Sequence, residues 1–147
     1  MPLTQKIRER MISIENYAII APDATLREAA LSLRTSFHEL DGGMRTVAGP
    51  RTVLVTDEND KLLGILDFMC FLENYFPKIG GLPEKLKVKD IMLKVKGIID
   101  ADASLEEGLR TIVQNKISVL PVYDGDKAVG LIRDTDIFLA ITDNLEA

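Results

Sequence analysis

The feature of this sequence that most constrains its fold is an internal repeat. Residues 22–29 resemble residues 101–108, which lie 79 positions further along the chain. In each copy a hydroxyl residue, Thr25 or Ser104, is followed three positions later by Glu. This is the capping-box pattern, in which the hydroxyl and the carboxylate satisfy free backbone amides at the start of a helix. The chain is therefore predicted to contain two similar units, each with a helix that begins at its capping box.

Short apolar runs and turn residues predict strands and turns on both sides of each helix. Each copy is predicted to run strand, helix, strand, strand, helix, with the last two strands forming a hairpin. In the first copy the strands are residues 17–20, 52–57 and 62–66, and in the second they are 98–99, 119–124 and 128–132. The closing helices are predicted at 68–75 and 136–142. This order indicates an α+β fold in which two small repeats cover each other's sheets.

The two copies differ in length between the first helix and the hairpin. The offset between matching residues falls from 79 to 67, so the first copy holds about a dozen extra residues there. They lie within residues 36–51, whose Gly-Gly and Gly-Pro pairs predict a loop insertion. This insertion, which contains His38, is either a lid or partner contact, or a tolerated surface loop. The predicted domains are a first repeat at 1–76, a linker at 77–87 and a second repeat at 88–147.

Composition excludes several classes of function. The net charge is −5, with 18 basic and 23 acidic residues, which argues against sequence-independent binding to nucleic acid or to an anionic membrane surface. No apolar stretch approaches the roughly 20 residues of a membrane span, and residues 1–10 lack the apolar core of a secretory signal. Cys70 and His38 are the only residues of their types. That excludes an internal disulfide framework and makes a Cys/His zinc site within one chain implausible, so we expect a cytoplasmic protein without a metal.

The sequence also lacks the motifs of common enzyme classes. It has no Gly-x-Ser-x-Gly, no Walker loop and no His-Glu-x-x-His. Its acidic residues are numerous but scattered, without a recognisable catalytic constellation. We therefore expect a protein that is not an enzyme.

Four motifs together resemble a known family. They are residues 88–92 (Val-Lys-Asp-Ile-Met), the Asp-Ala-Thr/Ser-Leu-x-Glu helix starts, residues 119–122 (Val-Leu-Pro-Val) and residues 130–136. The two copies resemble cystathionine-β-synthase (CBS) domains, and the tandem resembles a CBS pair, or Bateman module. The resemblance implies two repeats related by a pseudo-twofold axis, with clefts that take AMP, ADP, ATP or S-adenosylmethionine, and further assembly into a homodimer.

The resemblance also implies a ligand site in the second copy, where the family pattern is Gly-h-x-Thr/Ser-x-x-Asp. Gly130 matches the Gly, and Asp136 matches the Asp that holds the ribose hydroxyls, although a carboxylate is also favoured at a helix start. Arg133 replaces the phosphate-binding hydroxyl, and it could pair with phosphate or, as a surface residue, with Asp134 or Asp136. The predicted ligand-binding residues are Ile98, Ile99, Val119, Leu120, Pro121, Arg133, Asp134 and Asp136. The apolar residues among them are expected to be core residues whether or not a ligand binds.

The first copy departs further from the family pattern. Counting from Gly64, Asp67 takes the hydroxyl position and Cys70 the ribose position. Asp67 would repel phosphate, and a thiol cannot replace a carboxylate that accepts two hydrogen bonds. We read Cys70 as a core residue and predict a lost or altered cleft lined by Ile19, Ile20, Val53, Asp67 and Cys70.

Two functions follow from these expectations. The first is a sensor of an adenosine ligand that signals through a separate effector protein. Few cations (Arg133, Lys116 and Arg51) lie near the expected phosphate path, which favours AMP or another ligand of low charge. The alternative is a ligand-free dimerisation or scaffold module.

Overall fold

The computed structural model describes residues 3–41, 52–76 and 80–145. The elements in chain order are β1 (Ile12–Ser13), β2 (Ala18–Ile20), α1 (Leu26–Asp41), β3 (Thr52–Thr56), β4 (Leu62–Asp67), α2 (Phe68–Leu72), α3 (Val88–Ile91), β5 (Leu93–Lys94), β6 (Ile99–Asp100), α4 (Leu105–Asn115), β7 (Val119–Asp124), β8 (Lys127–Arg133) and α5 (Asp134–Leu145). Short 3₁₀ helices at Ile7–Glu9 and Ile14–Asn16 flank β1. The chain forms two compact units: a central unit, Asn16–Lys94, and a terminal unit, Met1–Glu15 with Val95–Ala147.

Each unit contains a four-stranded mixed sheet with helices, so the predicted α+β class is confirmed. The strand order is β2-β3-β4-β5 in the central unit and β1-β8-β7-β6 in the terminal unit. In the central unit β2 pairs parallel to β3, and β3 pairs antiparallel to β4. In the terminal unit β6 and β7 are parallel, and β7 and β8 form the antiparallel hairpin. A parallel pair needs a crossover connection, which α1 and α4 provide.

Both predicted helix starts are present because their caps act locally. Thr25 Oγ1 accepts a hydrogen bond from the Glu28 N–H at 3.0 Å, and the Thr25 N–H donates to Glu28 Oε1 at 3.4 Å. In the second copy Ser104 Oγ accepts from the Glu107 N–H at 3.1 Å. These bonds satisfy backbone donors that no helical carbonyl can reach.

Each unit has its own apolar core. The central core contains the buried residues Ala29, Leu33, Val53, Val55, Leu66, Cys70 and Val88. The terminal core contains the buried residues Ile7, Ile99, Ala101, Leu105, Ile112, Leu120, Val122, Ile132, Ile137 and Ala140. Alternating β4 residues are buried, as expected for a strand with one face on a core.

The first residues of each predicted repeat pack in the unit that contains the rest of the other repeat. Ile7 donates its N–H to the Ala103 carbonyl at 2.8 Å, and Val88 makes the matching bond to Ala24 at 3.0 Å. Both Ile7 and Val88 are fully buried. β1 then pairs with β8, and β5 with β4. The compact units therefore do not follow the predicted boundaries at 76 and 88, because backbone pairing places residues 1–15 with the second repeat and residues up to 94 with the first.

The region predicted as a loop insertion is partly helical. α1 continues to Asp41, so residues 36–41 are helix and the predicted start of the loop at residue 36 is wrong. Residues 36–41 contain no Gly or Pro, the two residues that most disfavour a helix, so α1 can continue through them. The first Gly of the insertion is Gly42. The rest of the insertion (42–51), the linker residues 77–79 and the side chain of His38 lie outside the described part of the structure.

Candidate functional site

The predicted second-repeat residues converge at one end of the terminal sheet, where β8 ends and α5 begins. Arg133, the last residue of β8, lies opposite Val119, the first residue of β7. The Asp134 N–H donates to the Ser118 carbonyl at 2.9 Å, which fixes the start of α5 against the start of β7. Ser118, which is exposed and was not predicted from the sequence, therefore belongs to this region. We refer to this end of the sheet as the β8–α5 junction.

Arg133 and Asp136 form a bidentate ion pair at the β8–α5 junction. The Asp136 carboxylate accepts from the Arg133 backbone N–H and from Nε, both at 2.9 Å to Oδ2, and from a terminal guanidinium nitrogen at 2.5 Å to Oδ1. The two side chains are only 15% and 7% exposed. Arg133 is therefore paired with Asp136, as one of its two alternatives predicted, but the pair is partly buried and does not lie on the surface.

The backbone bond from Arg133 explains why Asp136 occupies the third position of α5. A carboxylate that reaches back to the amide preceding the helix forms half of a capping box. Asp136 thus lies in the first turn of α5, where the sequence predicted that a carboxylate is favoured. The guanidinium contacts add a bidentate charge-assisted pair, the strongest type of side-chain hydrogen bonding to a carboxylate.

This pairing limits what Asp136 can bind. A carboxylate offers about four lone-pair positions, and Arg133 occupies three of them. A ribose with two vicinal hydroxyls needs two acceptor positions, so the carboxylate cannot hold both hydroxyls while the full pair persists. Asp134, by contrast, is exposed, and its Oδ1 accepts from the Thr135 N–H at 2.7 Å.

The predicted apolar wall divides into buried and exposed members. Ile99 and Leu120 are buried in the terminal core, Pro121 is buried in β7, and Val119 is half-buried. Ile98, expected to be a core residue, is instead 56% exposed. A Cβ added at Gly97 would lie 3.6 Å from Leu120 Cδ1, which places the backbone beside Ile98 against the start of β7. Ile98 is thus an exposed apolar side chain just before β6, at the end of the sheet where β7 begins.

The equivalent position in the first repeat has different chemistry. Asp67 caps α2, its Oδ1 accepting from the Cys70 N–H at 3.1 Å. Cys70 is buried in the central core, as expected, and burial together with the nearby Asp67 carboxylate raises the pKa of its thiol to about 11. A neutral buried thiol offers little to a ribose. Val53 is fully buried, Ile20 is half-buried, and Ile19 is 51% exposed, matching Ile98 in the second repeat.

The other cations expected near a phosphate path contribute less to the site. Lys116 is exposed and ends α4 with a left-handed backbone, φ 52°. Arg51 lies outside the described residues. Within residues 3–41, 52–76 and 80–145 there is no group of three or more His, Cys, Asp or Glu side chains arranged to hold a metal ion. In the same ranges, no helix has both the length and the apolar character that a membrane span requires.

Sequence comparison supplies the family of the second repeat. Residues 88–143 match the CBS domain family. The second repeat is thus similar to a CBS domain. The match begins at Val88, where the sequence repeat was predicted to begin, although residues 88–94 pack in the central unit.

Solved structures of CBS-domain proteins share the fold of nearly the whole chain. A CBS domain-containing protein of unknown function from Bacillus anthracis aligns with a TM-score of 0.71 at 16% identity, covering 96% of this chain and 95% of that one. The CBS domain of a bacterial CNNM/CorC family Mg²⁺ transporter aligns at 0.72 and 17%, covering 93% and 74%. CBSX2, solved in complex with AMP, aligns at 0.65 and 20%, covering 94% and 96%. At these identities the likeness shows the fold.

A curated sequence relative is an uncharacterized protein of Methanocaldococcus jannaschii. It is 27% identical over 132 residues, which is 89% of this chain. The chain spans only 38% of the length of that relative.

Proposed function

We propose that this chain is a regulatory module, not an enzyme, that binds one adenosine-containing ligand at the β8–α5 junction and acts on a separate effector protein. The observation that carries the proposal is that an exposed apolar residue, Ile98, and the Arg133–Asp136 pair lie at the same end of the terminal sheet, where β6 and β7 begin and β8 ends. An apolar side chain is suited to cover one face of a base, while a guanidinium and a carboxylate are suited to phosphate and ribose. The AMP complex of CBSX2, a protein of the same fold, supports this choice of ligand class.

The experiment is isothermal titration with AMP, ADP, ATP and S-adenosylmethionine, repeated on Ile98→Gln. Because Ile98 is already exposed, its substitution leaves the core intact and removes only apolar contact with the ligand. We expect the variant to bind at least about tenfold more weakly, since burying an Ile side chain is worth about 1.5–3 kcal/mol. Ile19→Gln is the matched control, because Ile19 is the equivalent exposed residue of the first repeat. Equal affinity for the wild type and Ile98→Gln would exclude the base from this position.

A second candidate function is a ligand-free module that holds a homodimer together. It is favoured by exposed apolar residues on the two packed helices of the terminal unit. Val113 of α4 is 63% exposed, and Phe138 and Leu145 of α5 are 62% and 77% exposed. Exposed apolar side chains on neighbouring helices are typical of a protein–protein interface. Sedimentation of the wild type and of Phe138→Glu tests it: a dimer that the substitution dissociates, together with no heat from any adenosine ligand, supports the scaffold.

A further inference from the structure

The helices of the central unit present an exposed apolar surface flanked by cations. Leu31 of α1 and Met69 and Leu72 of α2 are 47%, 55% and 66% exposed. Arg27 and Arg34 lie four residues before and three residues after Leu31, so they share its face of α1, and both are exposed. We refer to these five residues as the central helix face.

The helices of the terminal unit present a second exposed apolar surface, and its flanking charges are acids. Its apolar members are Val113 of α4 with Phe138 and Leu145 of α5. Phe138 and Leu145 are seven residues apart, which places them on one face of the helix. Glu106 of α4 occupies the position that an Arg holds in α1, and Asp134 lies one turn before Phe138; both acids are exposed. We refer to these five residues as the terminal helix face.

Each face also has a neighbour of the opposite sign that is engaged within its own unit. Glu28 Oε1 accepts from Thr25 Oγ1 at 3.0 Å, and Arg110 lies 3.7 Å from Glu106. The difference in charge between the faces remains when these neighbours are included. Residues 26–35 of α1 carry two Arg and one Glu, whereas the exposed charges of α4 and α5 are one Arg against two Glu and two Asp.

We propose that the central helix face of one chain binds the terminal helix face of a second copy of this chain. Contact between identical faces would place Arg27 and Arg34 beside their own equivalents, or Glu106 and Asp134 beside theirs, and like charges across an interface are unfavourable. Contact between unlike faces buries the apolar side chains of both and sets cations opposite acids. The inference assigns the contact of the dimer in the second candidate function, and it does not depend on ligand binding.

Charge reversal at Arg27 and Glu106 tests this pairing, with the dimer dissociation constant measured by sedimentation at low salt. Arg27→Glu and Glu106→Arg are each expected to raise that constant at least about fivefold, because each turns an attraction between exposed charges into a repulsion. The chain that carries both reversals is expected to return to within about twofold of the wild type, since opposite charges face each other again. Lys61→Glu is the matched control, because Lys61 is an exposed cation of the central unit outside its helices, and it should leave the dimer unchanged. Circular dichroism checks that every variant is folded.

The outcomes distinguish unlike from like contacts. In a dimer of like faces Arg27 faces its own equivalent, so a single reversal exchanges one repulsion for another and the dissociation constant stays the same. Single reversals without effect would therefore overturn the inference, as would a double variant that remains weak. A wild type that is monomeric at every concentration measured would also overturn it and would assign both faces to a different protein. Absence of heat from an adenosine ligand would remove the proposed sensing function and leave this result unaffected.

Discussion

Removal of the Asp136 carboxylate is expected to destabilise the protein much more than removal of any exposed acid. In Asp136→Ala, Arg133 loses its bidentate partner and its backbone N–H loses its acceptor. Deleting one member of a buried ion pair costs about 3–5 kcal/mol, because the remaining charge loses the compensation that its partner gave. Arg133 retains 15% exposure and can recover some hydration, so we expect the low end of that range, about 3 kcal/mol.

Asp143→Ala is the control for this change. Asp143 lies on the same helix and pairs with Arg10 at 2.8 Å, but its side chain is 57% exposed. An exposed pair of this type contributes about 0–1 kcal/mol. Urea titrations followed by circular dichroism measure both variants, and the difference in the free energy of unfolding between them should be about 2 kcal/mol or more.

A double variant separates the loss of the pair from the loss of packing. Replacing both members of a buried ion pair with apolar residues is often neutral. Arg133→Met combined with Asp136→Leu is therefore expected to recover most of the stability that Asp136→Ala loses. Asp136→Ala that unfolds at the same urea concentration as Asp143→Ala would refute the reasoning, since it would mean that water already compensates Arg133.

Three further predictions concern the rest of the fold. Ile7→Ala removes a fully buried side chain from the terminal core and should cost about 2–4 kcal/mol, with faster amide exchange in the terminal unit than in the central unit. Gly130→Ala should release β1 from β8, because the added Cβ would lie 2.5 Å from the Ile12 carbonyl oxygen. Faster hydrogen exchange of the Ile12 amide measures the release. Gly97→Ala is the control, because its Cβ makes an ordinary contact at 3.6 Å. The Cys70 thiol, whose pKa is raised from 9.0 to about 11, should resist a thiol reagent at pH 8 in the native state, and because the unfolded thiol ionises first, stability should fall as pH rises from about 9 to 11.

Much of the fold follows from short-range patterns in the sequence. The helix starts at Thr25 and Ser104 are predictable because a capping box acts over three residues. The hairpins are predictable because turn residues separate runs of apolar and β-branched residues. The strand β7 begins and ends at its predicted residues, Val119 and Asp124.

The exchange of segments between the repeats could not be predicted in the same way. β1 and β5 are only two residues long and have no periodicity to detect. Ile7 is held by a backbone hydrogen bond to the loop before Ser104, and Val88 by one to the loop before Thr25. Any residue except proline can donate such a backbone bond, so the sequence gives little indication of it. The contact depends on long-range packing, which a single sequence does not specify.

The pairing of Arg133 with Asp136 was predictable as one alternative, but its geometry was not. The family pattern identified Arg133 and Asp136, and pairing between them was one of two alternatives for Arg133. The burial of the Arg133–Asp136 pair depends on how β8 meets α5, which the sequence does not specify. The same geometry decides how many acceptor positions of the Asp136 carboxylate Arg133 occupies. The exposure of Ile98 likewise depends on where β6 begins, since its neighbour Ile99 is buried.

The stoichiometry of AMP binding tests the central claim most directly. The terminal unit presents a guanidinium and a carboxylate at the β8–α5 junction, whereas the equivalent position of the central unit holds a helix-capping Asp67 and the buried thiol of Cys70. Titration of AMP into nucleotide-free protein is therefore expected to saturate at one molecule per chain. Two equivalents per chain, or no saturable heat at all, would contradict it.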